Sequence, residues 1–508
     1  MGGSNIKGFI DKNREIISDK EADSIQHKKG KLTARERLKY LLDADSFVEL
    51  DAFAEHDCKE FEKSKAGDGV ITGYGKISKR PVYIYAQDFS FMGGSMGETH
   101  NKKIANIMEL SLKTGTPCIG LLDSGGARIQ EGVSALDAGG NIFRLNTAMS
   151  GIVPQISAIM GPCAGIAVYS PALTDFIFMV RKTSYMFITG PDVIKTVTGE
   201  SIDFEGLGGA AAHNEKSGVA HFIADDEKEC LDMINILLSY LPQNNLENPP
   251  YLSVDKADRE TKKLETFVPK DQKKTYDIKE VITEIFDKKS FFEVQSAFAA
   301  NIVVGFARLN GHVTGVVASQ PKVLAGCLDI NSSDKIARFV RFCDSFNTPL
   351  VNLVDVTGYL PGANQEHNGI IRHGAQILYA YSEATVPKIS LVLRKAYGGA
   401  YIALVSKDMG FDKVIAWPFA EIAVMGAEQA VNIINRKDLN GKNSGKLRAE
   451  LVSKYREKYL NPYVAAKLGK VDMIIHQKDT RTALINCLEM ILSKREKRPA
   501  KKHGNMPL

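Results

Sequence analysis

The chain has 508 residues, 44% of them hydrophobic and 25% charged, the balance of a soluble globular protein too long for one ordinary core. A net charge of +5, with no basic stripe interleaved with aromatics, excludes a dedicated nucleic-acid binder. Seven cysteines, odd in number, widely spaced and never in a C-x-x-C pair, signal neither a disulfide framework nor a zinc site and fit a reducing cytoplasm.

In chain order, Met1 to Lys7 lacks an apolar signal core, and no run of about eighteen uninterrupted apolar residues follows, so a cytoplasmic chain without a membrane span is expected. Residues 1 to about 45 read as a charged helical arm packed on the body. Thr33 is its N-cap, and Arg37 stands where a capping box would want Glu. Val70 to Lys76 and Val82 to Gln87 read as strands joined by the polar Ser78-Lys79-Arg80 turn. Asn101 to Lys113 reads as a helix whose apolar face carries Ile104, Ile107 and Met108, ended by Pro117. Cys118 to Leu122 is then a buried strand that delivers Asp123-Ser124-Gly125-Gly126-Ala127-Arg128.

Farther on, the β-rich run Gln155 to Met160 leads into Gly161-Pro162-Cys163-Ala164-Gly165-Ile166-Ala167. Ile389 to Leu393 leads likewise into Arg394-Lys395-Ala396-Tyr397-Gly398-Gly399-Ala400-Tyr401. Each reads as strand, Gly-rich turn, helix. Between them, Gln243 to Tyr276 loses apolar periodicity to prolines and charges and marks a boundary, giving domains 1–265 and 266–508. The closing basic run, from Lys494 to His503, reads as a solvated tail.

The two turns belong to a longer internal repeat. Displaced by 232 positions, Gly73 falls on Gly305, Lys103-Ile104-Ala105 on Lys335-Ile336-Ala337, Thr116-Pro117 on Thr348-Pro349 and Asp123 on Asp355. With one further residue, Val153-Pro154 falls on Val386-Pro387, Gly165 on Gly398 and Ala167 on Ala400. Ser290-Phe291-Phe292-Glu293 also echoes Ser46-Phe47-Val48-Glu49. The chain is therefore read as two copies of one α/β domain, strands alternating with helices in each. At the start of a helix the first N–H groups have no carbonyl partner and carry the positive end of the macrodipole, so each turn suits a developing oxyanion. A small-residue turn also lets a helix pack closely on a sheet, and one turn alone does not separate the two roles.

Asp123-Ser124-Gly125-Gly126-Ala127-Arg128-Ile129-Gln130-Glu131-Gly132, Gly161 to Gly165, Tyr169-Ser170-Pro171-Ala172, Gln320-Pro321-Lys322-Val323, Asp329-Ile330-Asn331-Ser332-Ser333 and Arg394 to Tyr401 resemble the carboxyltransferase subunit of biotin-dependent acyl-CoA carboxylases. Propionyl-CoA carboxylase β and the α subunit of sodium-pumping methylmalonyl-CoA decarboxylase are the types in question. The similarity runs from about Gly30 to Leu508. It implies tandem crotonase-like domains, usually assembled as a hexamer, with acyl-CoA and biotin meeting between the first domain of one subunit and the second domain of another.

Carried over to this sequence, the N–H groups of Gly165 and Ile166 would hold the thioester oxygen, and those of Gly399 and Ala400 the ureido oxygen of biotin. Gly125, Gly126, Ala127, Ala164, Tyr169, Gly398 and Ile402 would line the substrates. The resemblance implies biotin on a separate carrier protein, a coenzyme A thioester as substrate, and no metal. Its partners would be a biotin carboxyl carrier protein with either a biotin carboxylase subunit or, in the decarboxylating version, membrane subunits. A non-catalytic scaffold for a biotin carrier is the rival from another class.

Three positions depart from the family pattern: Ile166 where a second Gly is usual, Thr357 where Pro is usual, and Ile402 where propionyl-CoA carboxylases carry Asp. Propionyl specificity is what they put in question. Asp123 and Asp355 are expected to cap the N–H groups that follow them, with a general-base role as the alternative. His100, His213, His221, His312, His367 and His373 show no ligand spacing. Gly93-Gly94-Ser95-Met96-Gly97 lacks the Lys-Ser/Thr of a P-loop, and Phe89, Phe91, Met92 and Met96 are expected to form a mobile or interfacial wall.

Overall fold

The computed structural model describes residues 20–60, 65–253, 255–440 and 444–507. The helical expectation for residues 1–19 lies outside them. Two compact units divide the chain between Glu247 and Asn248, within the stretch where apolar periodicity fails.

The first unit is built on a sheet of eight strands, β1 (Val48–Leu50), β2 (Val70–Ile77), β3 (Arg80–Gln87), β4 (Cys118–Ser124), β5 (Gln155–Ala164), β6 (Phe176–Val180), β7 (Tyr185–Phe187) and β8 (Phe222–Ala224). The order is β1-β2-β3-β4-β5-β6-β8, with β7 pairing the far end of β5. The second unit repeats this with β9 (Phe292–Val294), β10 (Ile302–Leu309), β11 (His312–Ser319), β12 (Leu350–Val356), β13 (Lys388–Tyr397), β14 (Lys413–Ala416), β15 (Glu421–Ala423) and β16 (Met473–Ile474). Its order is β9-β10-β11-β12-β13-β14-β16, with β15 on β13. In both, the first three strands are antiparallel and the rest parallel. Parallel pairing demands crossovers, which the helices supply.

The repeated residues recur because they do the same work. Gly73 and Gly305 face the edge strands β1 and β9, where a Cβ would run into the carbonyls of Val48 and Phe292. The hairpin turns Ser78-Lys79 and Asn310-Gly311 all have positive φ (49°, 68°, 50° and 81°), the mirror-image turn that matches strand twist. A carboxylate holds each: Asp43 accepts from the N–H groups of Ser78 and Lys79, Asp287 from those of Asn310 and Gly311. Lys103 donates to the carbonyls of Gly67 and Val70, and Lys335 to those of Gln295, Phe298 and Ile302, each a buried ammonium drawing in the loop before the second strand.

Several boundaries differ from expectation. The Thr33 cap is completed by Glu36, the true third helical position, and not by Arg37, which is buried in an ion cluster. The Glu98–Thr114 helix starts three residues early because Glu131 accepts from the N–H of Glu98, and it stops at Gly115 in a left-handed conformation, before Pro117. β5 and β13 run on to Ala164 and Tyr397 because β7 and β15 pair their far ends. The tail is tied down: Lys494 pairs with Asp412 and Glu496, and Lys501 with Glu383. Met96 is core, 3% exposed, and bridges Ala127 rather than forming a wall.

Candidate functional site

The two Gly-rich turns take the same geometry. β5 ends at Ala164, Gly165 adopts φ +59°, and a single turn of 3-10 helix, Gly165–Val168, passes into the Tyr169–Leu173 helix. β13 ends at Tyr397, Gly398 adopts φ +58°, and the Gly398–Val405 helix begins there. A left-handed residue at this point is what swings the chain from strand to helix, and only Gly takes it without strain. Neither Ala164 nor Tyr397 caps its helix with a side chain. The opening N–H groups, Gly165 and Ile166 in the 3-10 turn and Gly398 to Ala400 in the α-helix, thus have neither an intrahelical acceptor nor a side-chain cap. Equivalent positions pair Gly165 with Gly398 and Ile166 with Gly399, so the expected donor pairs Gly165–Ile166 and Gly399–Ala400 are one residue out of step. Gly399 is exposed, Gly165 and Ile166 are half-buried, and Ala400 is fully buried.

In the first unit the turn is joined by the loop after β4. A Cβ on Gly126 (φ +104°) would sit 2.8 Å from the carbonyl oxygen of Ala164, so the glycine lets the two backbones meet. Gly125 donates to the carbonyl of Gly93 at 2.9 Å, and Ala127 bridges Met96. Gly125, Gly126, Ala127, Ala164, Gly165 and Ile166 therefore converge. Tyr169, 45% exposed, stands on the following helix with its ring edge-on to Phe143. Beneath the loop lies a network that composition did not announce. Arg128 donates to Asp68 and Glu131, both at 2.7 Å, and to the carbonyl of Ser95. His100, bonded to Gln87 and the carbonyl of Asp68, is held neutral by burial, its pKa lowered to about 3.

In the second unit the ring of Tyr359 lies against the turn, where a Cβ on Gly399 would be 3.4 Å from it and one on Gly374 3.0 Å. Burial raises the Tyr359 hydroxyl to about 12. Tyr397, the residue before the turn, hydrogen-bonds Glu421, which Arg456 flanks at 3.8 Å. Ile402 is 48% exposed and Val424 75%, apolar surface beside the helix start. Gly398, Gly399, Ala400 and Ile402 thus share one end of one helix.

Asp123 and Asp355 do not cap the turns that follow them. Each is buried in ion pairs: Asp123 with Lys31 (2.5 Å) and Arg37 (3.1 Å), Asp355 with Arg394 (2.8 Å) and the hydroxyl of Tyr276 (3.0 Å). These cations are not evident from the sequence; Arg394, at the head of the second Gly-rich turn, is the one signal it offers. Among the described residues no three His, Cys, Asp or Glu side chains gather to hold a metal, and no helix is long and apolar enough to cross a membrane.

The carboxyl transferase domain family matches residues 25–506. The carboxyltransferase subunit of propionyl-CoA carboxylase from Haloferax mediterranei is 56% identical over 99% of both chains. Methylmalonyl-CoA decarboxylase subunit alpha from Veillonella parvula is 56% identical over 95% of this chain and 94% of its own. The crystal structure of the transcarboxylase 12S hexamer, with methylmalonyl-coenzyme A and methylmalonic acid bound, superposes with a TM-score of 0.96 at 51% identity, covering 99% of this chain and 98% of that one. With both halves of the duplication matched end to end, the chain belongs to the carboxyl transferase domain family, a tandem crotonase-like α/β fold.

Proposed function

We propose that this acyl-CoA carboxyltransferase moves a carboxyl group between biotin on a separate carrier protein and the α-carbon of a short acyl-CoA, propionyl-CoA and methylmalonyl-CoA being the pair. The observation that carries it is the presence of two equivalent helix starts, both left without a side-chain cap. Bound biotin supplies a ring nitrogen that carries the carboxyl group and accepts the α-proton when it is free. What remains for the chain is to hold charge on two oxygens in turn, and two sets of preorganised N–H donors do that without a side-chain base.

The first turn serves the thioester. The N–H groups of Gly165 and Ile166 meet its carbonyl oxygen as charge builds there, while Gly125 to Ala127, Ala164 and Tyr169 bound the acyl chain. The second turn, Gly399 and Ala400 with Gly398 behind them, serves the ureido oxygen. Its surroundings fit a neutral ring: main-chain donors, an exposed glycine and the apolar Val424, with no charged side chain among Gly398, Gly399 and Ala400, while Ile402, two residues past Ala400, is left for the acyl chain. The working form is a symmetric homo-oligomer, a hexamer, located in the cytoplasm and served by a biotin carboxyl carrier protein.

A second reading runs the same half-reaction from methylmalonyl-CoA toward biotin with membrane partners. It draws support from Ile402, aliphatic where propionyl-CoA carboxylases usually carry Asp, and from the 56% identity to a decarboxylase subunit. The test is the purified chain with carboxyl-labelled methylmalonyl-CoA and free biotin, without ATP. Label should pass to biotin with release of propionyl-CoA. No transfer by a folded oligomer would refute the proposal. Co-purification of a biotin carboxylase or of a polytopic membrane protein then decides between the two directions.

A further inference from the structure

The two buried aspartates sit opposite the same irregularity. β4 and β5 keep register to Leu122–Ile159 and resume at Ser124–Cys163, so β5 bulges at Met160 to Pro162 opposite Asp123. β12 and β13 keep register to Val354–Val392 and resume at Val356–Ala396, so β13 bulges at Leu393 to Lys395 opposite Asp355. Each bulge runs within three residues into its turn glycine, so whatever holds the bulge aims the turn.

In the second unit the bulge holds itself. Arg394 donates its Nε–H to Asp355, and the N–H of Lys395 donates to the other carboxylate oxygen at 3.2 Å. Nη1 of Arg394 donates to the carbonyls of Pro269, Asp271 and Lys274, and its guanidinium stacks on Tyr276. In the first unit both links are missing. The residue equivalent to Arg394 is Gly161, and the residue equivalent to Lys395 is Pro162, which has no N–H to give. Oδ1 of Asp123 accordingly has no hydrogen-bond partner among the described residues.

The space vacated at Gly161 is taken by Oδ1 of Asp123, which a Cβ there would meet first, and by Lys31, whose Nζ would lie 2.5 Å from it. Lys31 and Arg37 both reach Oδ2 of Asp123, and Arg37 is anchored in turn on Glu227 through two bonds. Lys31, Arg37 and Asp123 are each at most 5% exposed. We propose that Lys31 and Arg37 are positioning residues for the first turn. They supply from the N-terminal arm the clamp that Arg394 and Lys395 supply from within the second, so the first turn is aimed correctly only while the arm is docked. This rests on the reading of the first turn as the thioester site.

The test uses the full-length oligomer carrying Lys31→Met, alone and with Pro162→Ala, which restores an N–H at the position equivalent to Lys395. In Lys31→Met, amide exchange in residues 155–170 should accelerate while residues 388–401 stay as in wild type. The kcat for carboxyl transfer should fall roughly 10- to 100-fold with the acyl-CoA KM moved by less than about 3-fold, the signature of a misaimed donor and not of weakened binding. The double variant should recover much of the lost kcat. Unchanged exchange in 155–170, or a kcat per assembled oligomer within about 2-fold of wild type, overturns the proposal. If wild type itself shows no transfer, the thioester reading fails, and exchange in 155–170 still decides whether the arm aims the turn. If neither Lys31→Met nor Lys31→Gln assembles, the arm is a folding element and the proposal also falls.

Discussion

The two halves share strand order, turn geometry and a buried aspartate, yet they differ in how the loop beside each turn is pinned. In the first half, Arg128 joins Asp68 and Glu131 beneath the loop after β4, and His100 is buried beside them. At the equivalent positions the second half carries Leu360, Ala300, Ala363 and Ser332. Its loop is held instead by the ring of Tyr359 packed between Gly374 and Gly399. The strand-turn-helix geometry is thus the constant of this duplication, while the support behind it is free to be ionic in one copy and aromatic in the other. A paired ionic support is costly to break and cheap to replace as a whole.

The largest effect is expected where that ionic support is broken. Arg128→Leu copies the second half's residue and leaves Asp68 and Glu131 buried without their cation, which should cost the first unit about 3–5 kcal/mol. Asp68→Ala, Arg128→Leu and Glu131→Ala together complete the substitution and should regain much of the loss. The only tryptophan, Trp417, is fully buried in the second unit, so its fluorescence reports that unit while ellipticity reports both. In a denaturant titration Arg128→Leu should move the ellipticity transition and leave the Trp417 transition in place. Movement of both together would show that the supports are not local.

A smaller difference is expected with pH. His100 is neutral in the folded unit, with its pKa lowered from 6.5 to about 3 by burial, whereas the unfolded chain takes up the proton near 6.5. The unfolded state therefore binds more protons between these values. The contribution, on the order of 5 kcal/mol, is fully present above about 6.5 and is lost as pH falls toward 3. The second unit has Ser332 there and lacks this liability. Acid titration should lower ellipticity before the Trp417 signal changes, and His100→Asn should narrow the gap between the two.

The duplication and both turns are legible in the sequence because glycines in left-handed turns and glycines under edge strands, such as Gly165, Gly398, Gly73 and Gly305, are tied to their positions by sterics. The ion clusters are not, since Asp123 meets Lys31, Arg37 and, through Arg37, Glu227 across long separations in sequence. A carboxylate before a glycine run looks like a cap from local sequence alone. The capping box does lie in the local sequence, because Glu36, not Arg37, is the third helical residue after Thr33. The charged tail looks solvated because its partners, Asp412 and Glu383, lie far back in the chain.

The smallest effect sharpens the comparison at the turns themselves. Ile402 lies two residues past Ala400 and is half exposed, while Ile166 packs its Cδ1 toward Gly139. One methylene in an apolar pocket is worth about 1–3 kcal/mol, so acetyl-, propionyl- and butyryl-CoA should all react, with kcat/KM spread over roughly 10- to 200-fold. Ile402→Asp should narrow that profile toward propionyl-CoA, and Ile166→Gly should favour the longer chain. Ratios unchanged in Ile402→Asp would place this residue outside the acyl pocket.

The most direct test of the account asks whether each turn contributes main-chain donors to one transfer reaction. Proline removes an N–H while remaining compatible with the first turn of a helix, so Ile166→Pro and Ala400→Pro each delete one donor without adding a charged or reactive side chain. After both variants are shown to be folded and oligomeric, carboxyl transfer from methylmalonyl-CoA to free biotin is measured in each. Loss of one preorganised donor should lower kcat by about 100- to 1,000-fold in either variant. Transfer near the wild-type rate in a folded Ile166→Pro or Ala400→Pro oligomer would contradict the claim that these two turns carry the chemistry.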